Sequence, residues 1–368
     1  MELYVFDMEL NHLGMIDEFI QVESELHYTK MSYLYLSVEG NKENIDLLQK
    51  GRILVKSNDL SRGYVIPRRE YEDEQSSILQ IIAPSFNVLL HRRIVLGQQV
   101  YTDNLEYVIK KFIYYNAINT TQNRKIPHLD VDFEYKCDLE DGTESAANVH
   151  LDDLSYDLCN KYDCSWDIFI DLENKKFVYT TWKGTDRSAE QSENPHIIFS
   201  KDSDNVLKQN YVEDDSDYRT TAIVEGEEEG LTRRTVIVND ELSGFDRIEM
   251  FVDANSVKKT YKNENDQEVT LTDTEYNSLL KAEGEKALSE YQKITTFESD
   301  VDLYSNNIFG VDYFLGDKVS IRNDDLDIIL HTRIVSVIET VNKSGTSLKV
   351  NFGSNVPNLI DKIKRAVK

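Results

Sequence analysis

The segment at residues 310–350 constrains the fold most, because its apolar residues alternate with polar ones between clear turn signals. Val319 and Ile321 fall on one face of a short run that follows a Gly-Asp turn. The alternation returns after an Asn-Asp-Asp turn, and a Lys-Ser-Gly turn leads into Leu348 and Val350. Period-two alternation between such turns is typical of antiparallel strands with one buried face. The segment therefore predicts a small β-barrel or a curled sheet.

The chain has 368 residues, which is long for one ordinary domain. Strand patterns dominate residues 1–97 and return in residues 206–353, whereas residues 98–205 combine two helices with a hairpin. Residues 354–368 have the pattern of a short amphipathic helix. We therefore predict an α+β, mainly β fold, in which two barrel-like tube domains enclose an inserted α+β subdomain and a C-terminal helix follows.

Three longer helices are predicted from apolar residues at helical spacing. One covers residues 102–116, with Asp103 and Glu106 as a capping box, and another covers residues 148–162. A hairpin follows the second helix, with strands at residues 165–172 and 176–182.

The third helix is predicted at residues 272–293, inside the second barrel-like domain. Thr272 and Glu275 match a capping box at its start. Its apolar face is formed by five residues: Tyr276, Leu279, Leu280, Ala287 and Tyr291. Gly284 lies in mid-helix, where glycine costs about 1 kcal/mol relative to alanine.

A zinc site could in principle use Cys137, His150, Cys159 and Cys164. However, these residues lack the close C-x-x-C spacing that structural zinc sites usually have. Cys159 also lies beside the apolar stripe of a predicted helix. We interpret the cysteines as free thiols in or near the core and predict no metal site.

Calcium is not favoured either, because the acidic loops at residues 138–142, 202–204 and 214–217 do not match the EF-hand pattern. In a chain with 67 Asp and Glu residues such clusters arise freely, and we interpret them as solvated loops.

No motif for catalysis is present: the sequence has no G-x-S-x-G, H-E-x-x-H or G-x-x-x-x-G-K-[ST] pattern. Cys164 with His150 or His128 could form a nucleophile and base, but no spacing favours this over a structural thiol. A carboxylate pair for glycoside hydrolysis stays open. Trp166 and Trp182 are interpreted as packing residues, with glycan contact as the alternative. We predict no catalytic and no cofactor-binding residue.

The formal net charge of −26 argues against binding nucleic acid through its phosphates. The sequence also has no apolar run long enough for a membrane span and no signal-peptide pattern at its start. The odd and sparse set of three cysteines indicates reduced thiols and synthesis in the cytoplasm.

The predicted C-terminal helix begins with Pro357 in its first turn. Its apolar stripe consists of Leu359, Ile360, Ile363 and Val367. A helix of this size is a weak membrane anchor. We therefore predict that the stripe contacts the chain's own barrel, a neighbouring subunit or another protein.

Several segments resemble one protein family in their order along the chain. The cassette VDYFLGDKV at residues 311–319 resembles the end of tail-tip (baseplate) hub proteins of siphophages and prophages, which are related to the hub of contractile tails. Residues 1–14, 44–55 and 89–94 resemble the family's opening hairpin, its N-x-x-L-L-x-x-G step and its L-x-x-R-R-I segment. Residues 194–205, 211–226 and 244–254 follow in the same order.

The resemblance implies a structural protein without enzymatic activity or cofactor, found in the virion tail tip and in the host cytoplasm during assembly. It implies a homotrimer that forms a ring around the DNA exit channel. Its implied partners are the distal tail protein, the tape measure protein and a receptor-binding protein or tail fibre. DNA would pass without specific nucleic-acid binding, and stable membrane binding is not expected.

Two alternatives stay open from the sequence. One is a tail-associated cell-wall-degrading enzyme, since many relatives continue into a fibre or a wall-degrading domain; this chain stops at Lys368, so that activity is not carried over. The other is the hub of a contractile bacteriocin-like particle that carries no DNA.

Overall fold

The computed structural model describes residues 1–73, 77–229, 232–262, 267–303 and 305–353. Strands make up 47% of the chain and helices 19%, which confirms the predicted α+β, mainly β class. Among the described helices, none combines the length and apolar character needed to cross a bilayer. The predicted helix at residues 354–368, with Leu359, Ile360, Ile363 and Val367, lies outside the described residues.

The strands and helices follow one another as β1 (Leu3–Phe6), β2 (His12–Ile16), β3 (Gln21–His27), β4 (Tyr33–Glu39), α1 (Lys42–Leu47), β5 (Ile53–Lys56), β6 (Asp59–Val65), β7 (Arg68–Asp73), β8 (Ser77–Pro84), β9 (Gln98–Asn104), α2 (Leu105–Ile113), β10 (Leu129–Val131), β11 (Asp141–Ala147), α3 (Leu151–Lys161), β12 (Ser165–Asp171), β13 (Lys176–Trp182), β14 (Ile198–Phe199), β15 (Val206–Asp214), β16 (Thr221–Glu229), β17 (Thr232–Val238), β18 (Glu249–Asp253), β19 (Thr260–Lys262), β20 (Glu268–Thr270), α4 (Asp273–Ser289), β21 (Ile294–Val301), β22 (Lys318–Asn323), β23 (Ile328–Asn342) and β24 (Gly345–Gly353). Short 3-10 helices lie at Phe86–Arg92, Gln122–Arg124, Lys201–Ser203 and Gly244–Asp246.

The described residues form two compact units. The first contains Met1–Val22, Thr29–Lys183 and Tyr218–Gln292; the second contains Glu23–Tyr28, Gly184–Asp217 and the described residues from Lys293 onward. Each unit is therefore assembled from segments far apart in the chain. The division into domains at residues 1–97, 98–205, 206–353 and 354–368, and the closure of two barrels, stay predictions.

In the first unit, β1 lies between β2 and β5 in an antiparallel sheet that β6 completes. The alternation in β4 buries Leu34, Leu36 and Val38 and leaves the residues between them more exposed. These side chains pack with Leu3 and Val5 of β1 in one apolar cluster. Period-two alternation therefore produces a half-buried sheet here, as expected.

A second part of the first unit packs α2 and α3 with the sheet β10-β13-β12. The predicted hairpin is confirmed as β12 and β13, which pair from Ser165 with Trp182 to Asp171 with Lys176. Trp166 is buried, as its interpretation as a packing residue requires.

The predicted capping box of Asp103 and Glu106 is wrong. Residues up to Asn104 belong to β9, which pairs with β11, and the Asn104 side chain accepts the hydrogen bond from the backbone N–H of Glu106. Helix α2 therefore starts at Leu105, and Glu106 turns into the interior. The predicted apolar face of α2 is confirmed, because Leu105, Val108, Ile109, Phe112 and Ile113 are all buried.

Helix α4 confirms the predicted capping box. The Thr272 side chain accepts a hydrogen bond from the backbone N–H of Glu275, and the Glu275 side chain accepts one from the backbone N–H of Thr272. The helix ends at Ser289 rather than at residue 293, and Leu288 is its buried residue in the last turn. Tyr276, Leu279 and Leu280 are buried as predicted, whereas Ala287 and Tyr291 are half-buried.

In the second unit, β15, β21, β24 and β23 form consecutive antiparallel pairs, and β22 extends the arrangement from β23 to β14. The alternation at residues 310–350 is thereby confirmed as β22, β23 and β24. Val319, Ile321, Leu348 and Val350 are all buried, as their positions on one face predicted. Phe199, Phe297, Tyr313 and Phe352 are buried as well, and the Phe199 ring packs against those of Tyr313 and Phe352.

Candidate interaction surface

The sheet β17-β16-β18 of the first unit has one face against α4. Ala222, Val224 and Val238 lie on this inner face, and their exposed fractions are 0%, 0% and 2%. Gly284 of α4 lies against them, so that a Cβ atom there would be 2.6 Å from Cγ2 of Val238 and 2.7 Å from Cγ2 of Val224. The mid-helix glycine thus permits a close approach of helix and sheet.

The outer face of the same sheet carries an apolar strip, which we define as Ile223, Ile237 and Phe251. Ile223 of β16 lies opposite Ile237 of β17 and also opposite Phe251 of β18, so the three side chains cross the sheet in one row. Ile237 is 36% exposed and Phe251 is 58% exposed. Because successive side chains of a strand point to opposite faces, the burial of Ala222 and Val224 brings Ile223 to the outer face.

Ion pairs flank the apolar strip on one side, two or more residues further along the strands. Arg233 Nη1 lies 3.2 Å from the Glu225 carboxylate, and Arg233 Nη2 also donates to Asp253. The hydrogen bond from Arg233 holds the pKa of Asp253 below its ordinary value. On their respective strands these three residues are separated from the strip by an even number of positions, so they share its face.

A second set of ion pairs flanks the opposite side of the strip. Arg247 Nε lies 2.7 Å from Glu249 and its Nη1 lies 3.3 Å from Asp240. The hydrogen bond to Glu249, helped by the bond to Asp240, raises the pKa of Arg247. The strip thus lies between two charged groups, which resembles the apolar centre and polar rim of protein interfaces.

Phe245 adds an aromatic side chain next to these strands in the sequence. It follows Gly244, whose φ of +62° favours glycine, and it is fully exposed at 103%. An exposed aromatic side chain and an apolar strip within a charged border are features of surfaces that contact other proteins. Residues 244–254 carry part of the family resemblance, but the sequence does not reveal this surface, because the strip arises only from strand pairing.

A buried ion pair lies elsewhere in the first unit. Lys110 Nζ is 2.8 Å from Glu106 Oε1, and their side chains are 1% and 0% exposed. The same carboxylate accepts hydrogen bonds from Thr181 Oγ1 and from the backbone N–H groups of Lys136 and Cys137, at 2.7 to 3.0 Å. Burial raises the pKa of Glu106, but the hydrogen bonds from Lys110 and Thr181 outweigh it and leave that pKa lowered. The pair and these hydrogen bonds hold α2 against the segment of Lys136 and Cys137 and against Thr181 of β13.

The three cysteines are brought together in the core of the first unit. Cys164 forms thiol hydrogen bonds with both Cys137 and Cys159, and all three are buried. The bond with Cys164 and burial raise the pKa of Cys137. For Cys164, the bond with Cys137 lowers the pKa, but the bond with Cys159 and burial outweigh this effect, so that the pKa is raised overall. These two groups are therefore neutral thiols, which are poor nucleophiles and poor metal ligands.

His150 and His128, the other residues considered with these thiols, have different surroundings. His128 Nε2 lies 2.8 Å from a carboxylate oxygen of Glu9. In the part of the chain that the structure describes, one group of three His, Cys, Asp or Glu side chains has ligand atoms within 4.8 Å of one another, and it contains His150 with His91 and Asp152 but no cysteine.

Structural comparison shows the fold of a phage tail protein. The prophage tail protein gp18 of Listeria monocytogenes EGD-e is 12% identical and has a TM-score of 0.55, with 100% of this chain and 98% of that chain covered. The tail protein of Neisseria meningitidis MC58 is 11% identical with a TM-score of 0.57, covering 96% of each chain. The 43 kDa tail protein of prophage MuSo2 from Shewanella oneidensis is 11% identical with a TM-score of 0.58, covering 96% of this chain and 98% of that one.

The sequence itself matches the family described as Siphovirus ReqiPepy6 Gp37-like protein over residues 2–354. This chain therefore belongs to that siphovirus tail protein family, which confirms the resemblance to phage tail proteins. A search of curated proteins gave no match.

Proposed function

We propose that the chain is a structural tail-tip hub protein of a phage or prophage, and that it joins the distal tail to the tip. The observation that carries the proposal is the match to a siphovirus tail protein family over residues 2–354, which spans nearly the whole chain. The likeness to three tail proteins along almost their whole length, two of them from prophages, supports it through the fold. In this role the chain has no enzymatic activity, and its work is mechanical.

The assembly that we propose is a homotrimeric ring around the DNA exit channel. Its further partners are the distal tail protein, the tape measure protein and a receptor-binding protein or tail fibre. The apolar strip of Ile223, Ile237 and Phe251 supports a contact between copies, because an apolar row flanked on both sides by charges of both signs can bury its centre and pair its rim. The net charge of −26 supports passage of DNA without binding.

Light scattering of the purified protein over a range of concentration and salt tests the assembly. We expect a mass of three chains of 42.7 kDa each, favoured at high salt because salt screens the repulsion between acidic copies. A stable dimer would contradict the ring, since a twofold particle does not match a threefold or sixfold tail axis. A single-chain mass under all conditions would contradict self-assembly while leaving the family assignment intact.

The apolar strip is tested by Phe251→Ser, which removes the largest exposed side chain of the row. We expect the trimer to dissociate at concentrations where the wild type is assembled, with the circular dichroism spectrum unchanged. Leu96→Ser is the matched control, because Leu96 is 62% exposed in the same unit but lies outside the strip. Equal loss of assembly in both variants would show that the strip has no special role.

A further inference from the structure

Three side chains from two separate segments of the first unit meet at the start of α3. His91 lies in the 3-10 helix Phe86–Arg92, His150 precedes α3 at its N-cap position, and Asp152 lies in the first turn of α3. One ligand atom from each of them lies within 4.8 Å of the other two. His91 Nδ1 is 3.0 Å from Asp152 Oδ2, and the two imidazole rings stack with centroids 4.4 Å apart and planes at 16°.

The backbone holds these segments together independently of the three side chains. Ile94 and His150 form an antiparallel bridge, and the N–H of Leu151 donates to the carbonyl of Arg93 at 3.0 Å. The N–H of Val95 also donates to the carbonyl of Val149 at 2.9 Å. The backbone positions of the residues around the cluster are therefore fixed by hydrogen bonds, which supports a preorganised site.

One polar atom of the cluster is unsatisfied. Nδ1 of His150 is buried and has no hydrogen-bond partner among the described residues. Buried polar atoms without a protein partner are uncommon in folded proteins, and such atoms often contact a bound ion or water molecule. The Asp152 side chain is 12% exposed, whereas that of His91 is 57% exposed, so the cluster has a buried wall and an open side through which an ion can enter.

We propose that His91, His150 and Asp152 bind a divalent transition-metal ion, with Zn²⁺ as the expected occupant. Two imidazole nitrogens and one carboxylate oxygen suit Zn²⁺ and its neighbours in the first transition row, whereas Ca²⁺ and Mg²⁺ prefer oxygen ligands alone. Ligand atoms bound tetrahedrally to one zinc ion at about 2.0–2.2 Å stand about 3.3–3.6 Å apart. The 3.0 Å between His91 Nδ1 and Asp152 Oδ2 is close to that spacing, so a small movement of the two side chains suffices. The exposed His91 ring can adjust to complete the set, and water fills the remaining position.

The local charges agree with a cation at this position. The start of a helix carries a partial positive charge that opposes a cation, but Asp152 and Asp153 both lie in the first turn of α3 and offset it. The nearby Arg93 donates its Nε and Nη2 hydrogen bonds to the backbone carbonyls of Arg124 and Lys125. The bound ion fastens the segment before β9 to the start of α3 and stabilises the first unit.

The test uses untagged full-length protein freed of metal with a chelator and then titrated with Zn²⁺ in a calorimeter. We expect one ion per chain and a higher unfolding temperature with Zn²⁺ than without it, since an ion that binds only the folded state stabilises it. His91→Ala and Asp152→Asn each remove one ligand, and we expect binding to weaken about tenfold or more in each. No binding in the wild type, or weak binding of several ions per chain, would overturn the proposal.

His128→Asn is the matched control. It removes a histidine from a His–carboxylate contact of similar length, at a φ of +62° that asparagine tolerates, but His128 has no third ligand beside it among the described residues. We expect this variant to bind Zn²⁺ like the wild type. If it weakens binding as much as His91→Ala, the three-residue site is wrong.

The absorption spectrum of bound Co²⁺ identifies the ligand atoms in the wild-type protein. This test therefore does not depend on whether a variant folds. We expect visible ligand-field bands on Co²⁺ binding without the near-ultraviolet charge-transfer absorption of a cobalt–thiolate bond. Thiolate absorption would place the ion at Cys137, Cys159 or Cys164 and overturn the assignment. Because this outcome concerns metal ligands alone, it is independent of the trimer mass that tests the proposed function.

Discussion

Arg187 Nε donates to Oδ2 of the buried Asp317 at 2.9 Å, and this pair fastens two distant segments of the second unit. The same carboxylate accepts from the backbone N–H of Thr185 at 2.8 Å and of Phe314 at 3.0 Å. Gly184 makes the approach possible, because a Cβ atom there would lie 2.0 Å from the carbonyl oxygen of Gly316. The Gly316-Asp317 turn is therefore a junction that joins the segment of Thr185 and Arg187 to the segment before β22.

Asp317→Asn should destabilise the second unit by about 3 kcal/mol, because the amide nitrogen cannot accept the bonds that the carboxylate accepts and Arg187 loses its partner. Urea denaturation and hydrogen exchange at residues 184–187 and 313–317 measure this. Asp325→Asn, an exposed acid in the same unit, is the control and should behave like the wild type. Unchanged exchange in Asp317→Asn would refute the junction.

Glu106→Gln should cost about 3–5 kcal/mol at neutral pH, since it leaves Lys110 buried without a countercharge. The pKa of Glu106 is lowered in the folded state, so the stabilisation is present above the unfolded pKa of about 4.3 and is lost as the pH falls through the folded value. The gap in unfolding free energy between wild type and variant should therefore shrink below about pH 4.3. Asp103→Asn, which affects the more exposed partner of Lys111, is the control and should stay near the wild type. A gap independent of pH would contradict the role of the carboxylate.

Gly284→Ala should destabilise the protein despite the better helix propensity of alanine. The added methyl group meets Val224 and Val238 at under 3 Å, and overpacking of about 1–3 kcal/mol outweighs the gain of about 1 kcal/mol. Ser278→Ala, at an exposed position of the same helix, should be neutral or slightly stabilising. Thermal unfolding compares the variants, and Val238→Ala should partly rescue Gly284→Ala, because it removes the methyl group nearest to the added Cβ atom. A Gly284→Ala variant that is more stable than the wild type would show that Val224 and Val238 can move to accommodate the methyl group, and would contradict this prediction.

Thr272→Ala should lower the unfolding free energy by about 1 kcal/mol, because it removes the side chain that accepts the N–H of Glu275. Thr274 lies two positions later and is exposed. Thr274→Ala should therefore change the unfolding free energy by a few tenths of a kcal/mol at most. Equal effects of the two substitutions in urea denaturation would mean that the capping box contributes nothing measurable.

Local patterns of the sequence were reliable where neighbouring residues alone decide the structure. The alternation at residues 310–350 became β22 to β24, and Thr272 with Glu275 became the capping box of α4. The prediction failed at Asp103, because the pairing of β9 with β11 extended the strand to Asn104 and shifted the start of α2. The burial of Glu106 with Lys110 had a sequence signal in their i, i+4 spacing, but that spacing is equally common on exposed helix faces.

By itself, the sequence determined the mainly β class, the positions of the longer helices and the family, because period-two and helical patterns and collinear motifs are properties of short segments. Only the tertiary structure decided which side chains meet. The apolar strip depends on the register of three strands, and the cluster of His91, His150 and Asp152 joins residues 61 positions apart at its two ends. Such contacts depend on strand register and chain folding, where a shift of one residue would turn a side chain to the opposite face.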